Sequence, residues 1–149
     1  MSHSAIIPPS ECARCQLNAE DGGEVFYHRK KTFKFDVDLA IQIVSDGREP
    51  VEVDDDSLRN TLLKTEVDER HLPHVNIGRP GIIANVTYRL DDGRTVTAHV
   101  LIDGNHRAAR CLQEGRPFSV YLLTEEETTR TLLRAPKKVS VRRRSLARR

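Results

Sequence analysis

The sequence predicts an α+β fold, a small mixed sheet with helices packed on it. Three observations predict it. Two runs rich in β-branched residues, Ile82 to Leu90 and Thr95 to Ile102, flank Asp91-Asp92-Gly93, a hairpin turn in which glycine tolerates positive φ. Helical patterns with their own caps interrupt the strand-like runs. The strand ending near Ile102 passes through one glycine into an alanine-containing helix.

Residues 1–23 hold few large apolar groups. They carry Pro8-Pro9, the pair Cys12-x-x-Cys15 and Gly22-Gly23, and are expected to form a poorly packed arm. The domain itself is expected over residues 24–134. Val25 to Phe35 alternates loosely and contains Phe26, Tyr27, Phe33 and Phe35, which predicts one or two strands. Asp36 is placed to cap a short helix with Leu39, Ala40, Ile43 and Val44 on one face, and Gly47 to end it. Pro50 to Val53 reads as a short strand. Asp54-Asp55-Asp56-Ser57 offers caps for a helix over about Leu58 to Glu66, with Leu58, Leu62 and Leu63 inward. His71 to Gly78 reads as a turn and a short strand, and Pro80-Gly81 as a break.

After the hairpin, Asn105 to Glu114 is a predicted helix with Ala108, Ala109 and Leu112 inward and Gly115 as its stop. Pro117 to Leu123 is a strand. Thr124-Glu125-Glu126-Glu127 is a capping box for a last helix through about Leu133, ended by Pro136. The three glutamates suit a first helical turn better than catalysis. Residues 135–149 are expected to be a disordered basic tail.

One compact domain with tails suits 149 residues. No apolar run approaches the ~20 residues of a membrane span, and no apolar segment of a secretory signal follows Met1. The expected location is therefore the cytoplasm, with no membrane partner. The three cysteines, Cys12, Cys15 and Cys111, argue against a disulfide framework. Charge is unevenly placed. Arg134 to Arg149 holds eight Lys or Arg and no acid; removing these from the net +2 leaves −6 on residues 1–133. An acidic body is unlike a dedicated DNA-binding surface.

The chemistry concentrates in Leu101-Ile102-Asp103-Gly104-Asn105-His106-Arg107-Ala108-Ala109-Arg110. A strand delivers the chain to a turn, and Gly104 lacks a Cβ, so a ligand or another backbone can approach closely. The helix that follows has first-turn N–H groups without internal partners, and its dipole favours an anion. His106 and Arg107 add side-chain donors; a guanidinium can hold a phosphate bidentately. Asp103 is expected to cap the helix, to orient Arg107 or His106, or to bind a metal or hydroxyl. An ordinary N-cap beside a surface arginine would give the same four-residue pattern.

This stretch, followed by Gly115 and the strand Phe118 to Leu123, resembles the signature of the ParB/sulfiredoxin superfamily over roughly Val75 to Leu133. There a strand enters a Gly-x-His-Arg or Gly-x-Arg-Arg turn and an alanine-rich helix. The resemblance implies a nucleotide ligand, CTP as in ParB proteins or ATP as in sulfiredoxins and free-serine kinases, with Mg²⁺ nearby. Some members are nucleases. By position, Gly104, Asn105, His106 and Arg107 would contact phosphates, and His74, Asn76 and Arg79 would be second contacts to base, ribose or substrate. If the protein is an enzyme, phosphoryl transfer or phosphodiester hydrolysis fits best, with His106 as acid or base and Asp103 beside it. Where sulfiredoxins carry their reactive cysteine this chain has Asn105, which argues against sulfinic-acid reduction. Cys111, six residues on, is expected in the core. The sixteen residues after Leu133 leave no room in this chain for the helix-turn-helix and dimerisation domains of a ParB partition protein.

Two further features carry expectations. Cys12 and Cys15 are candidate zinc ligands, half of a tetrahedral set that His28, or His71 with His74, would complete. The tail offers a nucleic-acid contact through charge alone, so a DNA- or RNA-binding or nuclease module is the alternative function, and a non-catalytic interaction domain the third. His99 is expected on one strand face with Thr97 and Leu101, as a packed or edge histidine.

Overall fold

The structure, a computed structural model, describes residues 8–11, 25–28, 33–63, 65, 67–75 and 77–135. Cys12, Cys15, Asn76 and the basic segment 136–149 lie outside the described residues, and with them the expectations placed on them. The described chain runs β1 (Val25–His28), β2 (Phe33–Asp36), α1 (Val37–Val44), β3 (Val51–Val53), α2 (Asp55–Leu63), β4 (Gly81–Arg89), β5 (Thr95–Asp103), α3 (Asn105–Glu114), β6 (Phe118–Leu122), α4 (Glu125–Thr131) and β7 (Leu132–Arg134). No helix among the described residues is long and apolar enough to cross a membrane.

The fold is α+β, but the strands form two small sheets rather than one. Their orders are β1-β2-β7 and β3-β6-β4-β5. Neighbours are antiparallel except β4 and β6, which run parallel. The second sheet is covered on both faces. Ile82, Ala84, Val86 and Tyr88 of β4 and Val100 and Ile102 of β5 pack with Phe33 and Phe35 of β2 and Ala40 and Val44 of α1. On the opposite face Leu101, Phe118 and Val120 pack with Leu58 of α2 and with Ala108 and Cys111 of α3. This double cover explains why four successive residues, Val100 to Asp103, are all buried. Thr97 and His99, on the same strand face as buried Leu101, lie beyond this cover and are exposed.

Three predicted elements differ, each for a local reason. The last helix stops at Thr131, because Leu132 pairs with Phe35 and extends the first sheet as β7. Within His71 to Gly78 the expected turn is a 3-10 turn, Leu72–His74, but no strand follows it among the described residues; the Arg110 guanidinium donates to the Val75 carbonyl at 2.7 Å. Gly81 is not a break but the first residue of β4, opposite Val120.

Charged contacts tie α4 to the body. Beyond Leu122 the β6 strand ends, and Thr128 Oγ1 accepts from the Asn85 N–H at 2.9 Å in its place. Arg48 donates to both oxygens of Glu127, at 2.9 and 2.7 Å, and to the Leu122 carbonyl. The same Glu127 closes the capping box with Thr124. Arg48 holds the Glu127 carboxyl below its ordinary value of 4.5 and that of Asp46 down to about 2. A folded-state value below the unfolded one means stability present above the ordinary carboxyl range and lost as pH falls through the folded value. Glu127→Gln should therefore cost about 1 kcal/mol at neutral pH. It should also flatten the loss of stability expected of the native protein below pH 4.5. Urea midpoints across that range check both; an unchanged acid limb in the variant would remove Glu127 from the account.

Candidate functional site

The bulge between Ile82 and Ile83 shifts the β4–β5 register, so Asp103 lies opposite Ile82. Gly104 then takes φ +98°, the left-handed region open to glycine, and α3 begins at Asn105. The first intrahelical bond is that of Ala108 N–H to the Gly104 carbonyl at 2.8 Å. The N–H groups of Asn105, His106 and Arg107 precede it and have no partner within the helix. The C-terminus closes by a Schellman arrangement, with Arg116 N–H on Cys111 O and Gly115 N–H on Leu112 O. Cys111 is buried as expected, and burial pushes its thiol pKa up.

Asp103 does not cap the helix. The cap residue is Gly104, with no side-chain cap bond. The Asp103 carboxylate is 6 % exposed and accepts from Arg107 Nη2 at 3.2 Å, with Arg79 Nη2 at 3.6 Å from the same oxygen. Of the roles expected for Asp103, the one shown is orientation of Arg107. Arg107 is only 11 % exposed. Its Nε donates to the Arg79 carbonyl at 3.0 Å and its Nη2 to the Pro80 carbonyl at 3.1 Å. The space over Gly104 is filled by this same guanidinium: a Cβ there would lie 2.9 Å from Arg107 Nη2 and 3.0 Å from Gly81 Cα. The missing Cβ thus admits Arg107 and a neighbouring backbone.

His106 Nε2 accepts from the Asp68 N–H at 3.0 Å. An imidazole accepting there carries its proton on Nδ1, so in this state it is a donor through Nδ1–H. His71 stands edge-on to His106 with ring centroids 5.1 Å apart, and His74 is 6.0 Å from His71. The fold therefore brings His74 near His106 through His71. His28, the alternative to His71 with His74 for completing a zinc set with Cys12 and Cys15, is on β1 with its ring 5.6 Å from that of Phe33 on β2. Among the described residues no three His, Cys, Asp or Glu side chains are grouped to hold a metal ion.

Asn105 is 8 % exposed. Its Nδ2 donates back to the Leu101 carbonyl at 2.9 Å, while its Oδ1 is buried with no partner among the described residues. An orphan acceptor costs about 1–3 kcal/mol, and a ligand or water donor would relieve it.

Polarity sets α3 apart. The first turns of α1, α2 and α4 carry Asp38, Asp55 with Asp56, and Glu125 to Glu127, which suit the positive pole of a helix. The first turn of α3 has no acid and holds His106 and Arg107. Two guanidinium groups share the one Asp103 carboxylate, so these three side chains together carry one net positive charge.

The donor set at the turn does not fit a divalent cation. Mg²⁺ takes one or two carboxylates with several waters. Asp103 is nearly excluded from water and already carries two guanidinium neighbours. Each would repel a cation by about 4 kcal/mol per unit charge at ~4 Å and an effective dielectric of ~20.

Neither the Arg79 contact nor the His71–His106 pair was visible in the sequence. The Asp103–Arg107 spacing of four is visible once a helix is placed there, whereas the other two join segments of differing register. Comparison with protein-family models, with characterised proteins and with solved structures gave no match.

Proposed function

We propose that this protein binds the phosphate groups of a nucleotide at the β5–α3 turn. The observation that carries this reading is the reversed polarity of α3, a helix start with two basic residues, no acid and a net positive cluster. Placing the Arg107 charge there costs about 0.3–1 kcal/mol, and an anion relieves it. Anionic oxygens would accept from N–H groups at the start of α3. The resemblance of Val75 to Leu133 to the ParB/sulfiredoxin superfamily is what favours a nucleotide, ATP or CTP, over other phosphates. His106 enters as a donor, not a base, while its Nε2 accepts from Asp68. Binding and polarisation of phosphates are thus the chemistry the residues supply.

A second reading rests on the eight basic residues of 134–149, through which the chain would hold a nucleic-acid backbone at the same turn. Calorimetric titration with ATP, CTP, GTP and a short DNA duplex separates the two. Nucleotide binding that survives removal of residues 135–149 is expected. DNA binding that disappears with the tail, without nucleotide binding, would move the function to the tail.

A further inference from the structure

We infer that Arg79 is the side chain that receives the anion, without a divalent cation, and that Arg107 is a strut holding the turn in shape. The inference rests on the anion-binding reading above and assigns its parts. A phosphate-gripping arginine at this turn would be expected at Arg107, in the first turn of the helix. That guanidinium is spent. Its Nε and Nη2 hold the Arg79 and Pro80 carbonyls and Asp103, and little of it reaches solvent. Turning it outward would forfeit three hydrogen bonds and strip Asp103 of its closest partner.

Arg79 has the opposite layout. Its backbone is pinned beside the turn, since its own carbonyl accepts from Arg107 Nε. Its side chain is 58 % exposed, and its one ion-pair distance among the described residues, 3.6 Å to Asp103, is beyond hydrogen-bond range. A fixed backbone with a loosely held guanidinium is what a ligand arm requires: little is lost when it swings from Asp103 to an incoming oxyanion. Asp103 stays neutralised by Arg107 when that happens. The buried carboxylate is therefore a counter-ion for two arginines, and the charge that offsets the anion comes from Arg79 and the helix pole. Asn105 Oδ1, the unpartnered buried acceptor in the first turn, adds a place for one donor, such as a hydroxyl of the ligand or a water it holds.

The full chain, titrated calorimetrically with ATP and with inorganic pyrophosphate, in excess EDTA and in excess Mg²⁺, tests this. The native protein should bind in EDTA at least as tightly as in Mg²⁺. Arg79→Ala and Arg79→Gln should each bind about 10- to 100-fold more weakly, the size of a lost charge-assisted hydrogen bond, with an unchanged unfolding midpoint. Their affinities should depend less on salt than the native affinity does, and Arg79→Lys should recover part of both. Native binding that requires Mg²⁺, or native-strength binding by Arg79→Ala, would overturn the inference while the phosphate reading stands. If the native protein binds neither probe, that reading fails and this one with it.

Discussion

Arg107→Ala is expected to destabilise the fold by about 3–5 kcal/mol, the cost of removing one partner from a buried ion pair. Three losses coincide. The Asp103 carboxylate, 6 % exposed, keeps only the looser Arg79 contact at 3.6 Å. The Arg79 and Pro80 carbonyls lose their donors. The space over Gly104, filled by the guanidinium, becomes a void against Gly81. A domain of this size holds only about 5–15 kcal/mol in total, so the variant should unfold at a much lower urea midpoint. Arg107→Lys should recover little, because an ammonium cannot donate in three directions set by a planar fork. Adding Asp103→Asn to Arg107→Ala should return part of the loss, since the stranded charge is then gone. A cost under about 1 kcal/mol would mean that Asp103 is solvated by other means. The prediction bears on function as well. Loss of anion binding in Arg107→Ala would report a collapsed turn, whereas the same loss in Arg79→Ala with an intact fold would report a missing ligand.

The hairpin, the glycine-to-helix turn and the capped starts of α1 and α4 were legible in the sequence because each rests on local chemistry. Asp36 accepts from Leu39 N–H, Thr124 and Glu127 close their box, and Gly115 ends α3, all within a few residues. What was not legible depends on contacts between distant segments. Leu132 could continue a helix or pair with Phe35, and only the position of β2 decides it. The split into two sheets follows from β2 and β7 finding each other across almost the whole domain. At the site, the residue types were readable and their partners were not. Gly104 was expected to admit a ligand or another backbone, and its missing Cβ makes room for the Gly81 backbone and for Arg107. Which backbone approaches was not legible, because it depends on Pro80 and Gly81 entering a strand beside the turn, within reach of α3.

Gly81→Ala tests that junction from the other side and should cost about 3 kcal/mol, the upper end of what overpacking a core does. The backbone angle is not the reason. A Cβ at Gly81 would lie 2.7 Å from the Asp103 carbonyl oxygen and 2.8 Å from Phe118 Cζ, with Leu101 Cδ1 at 3.1 Å. None of the three can retreat cheaply. Gly81 is held opposite Val120 by the parallel β4–β6 ladder, Phe118 and Leu101 are each 3 % exposed in the second core, and Asp103 is the last residue of β5. The smallest relief is a shift of Asp103 away from β4, which would drag Gly104 and the start of α3 with it. Anion binding should therefore fall together with stability. Gly104→Ala differs in kind. Its strain includes a φ of +98°, worth about 1–2 kcal/mol, to which it adds contacts with the held Arg107 guanidinium at 2.9 Å and the Gly81 Cα at 3.0 Å. Pairing Gly81→Ala with Phe118→Leu should restore part of the stability by vacating the Cζ position, but not the binding, because the Asp103 carbonyl would still be displaced. Thermal unfolding and phosphate titration of the single and double variants read the two effects separately. Full recovery of binding in the double variant would place the strain in the core and not at the turn.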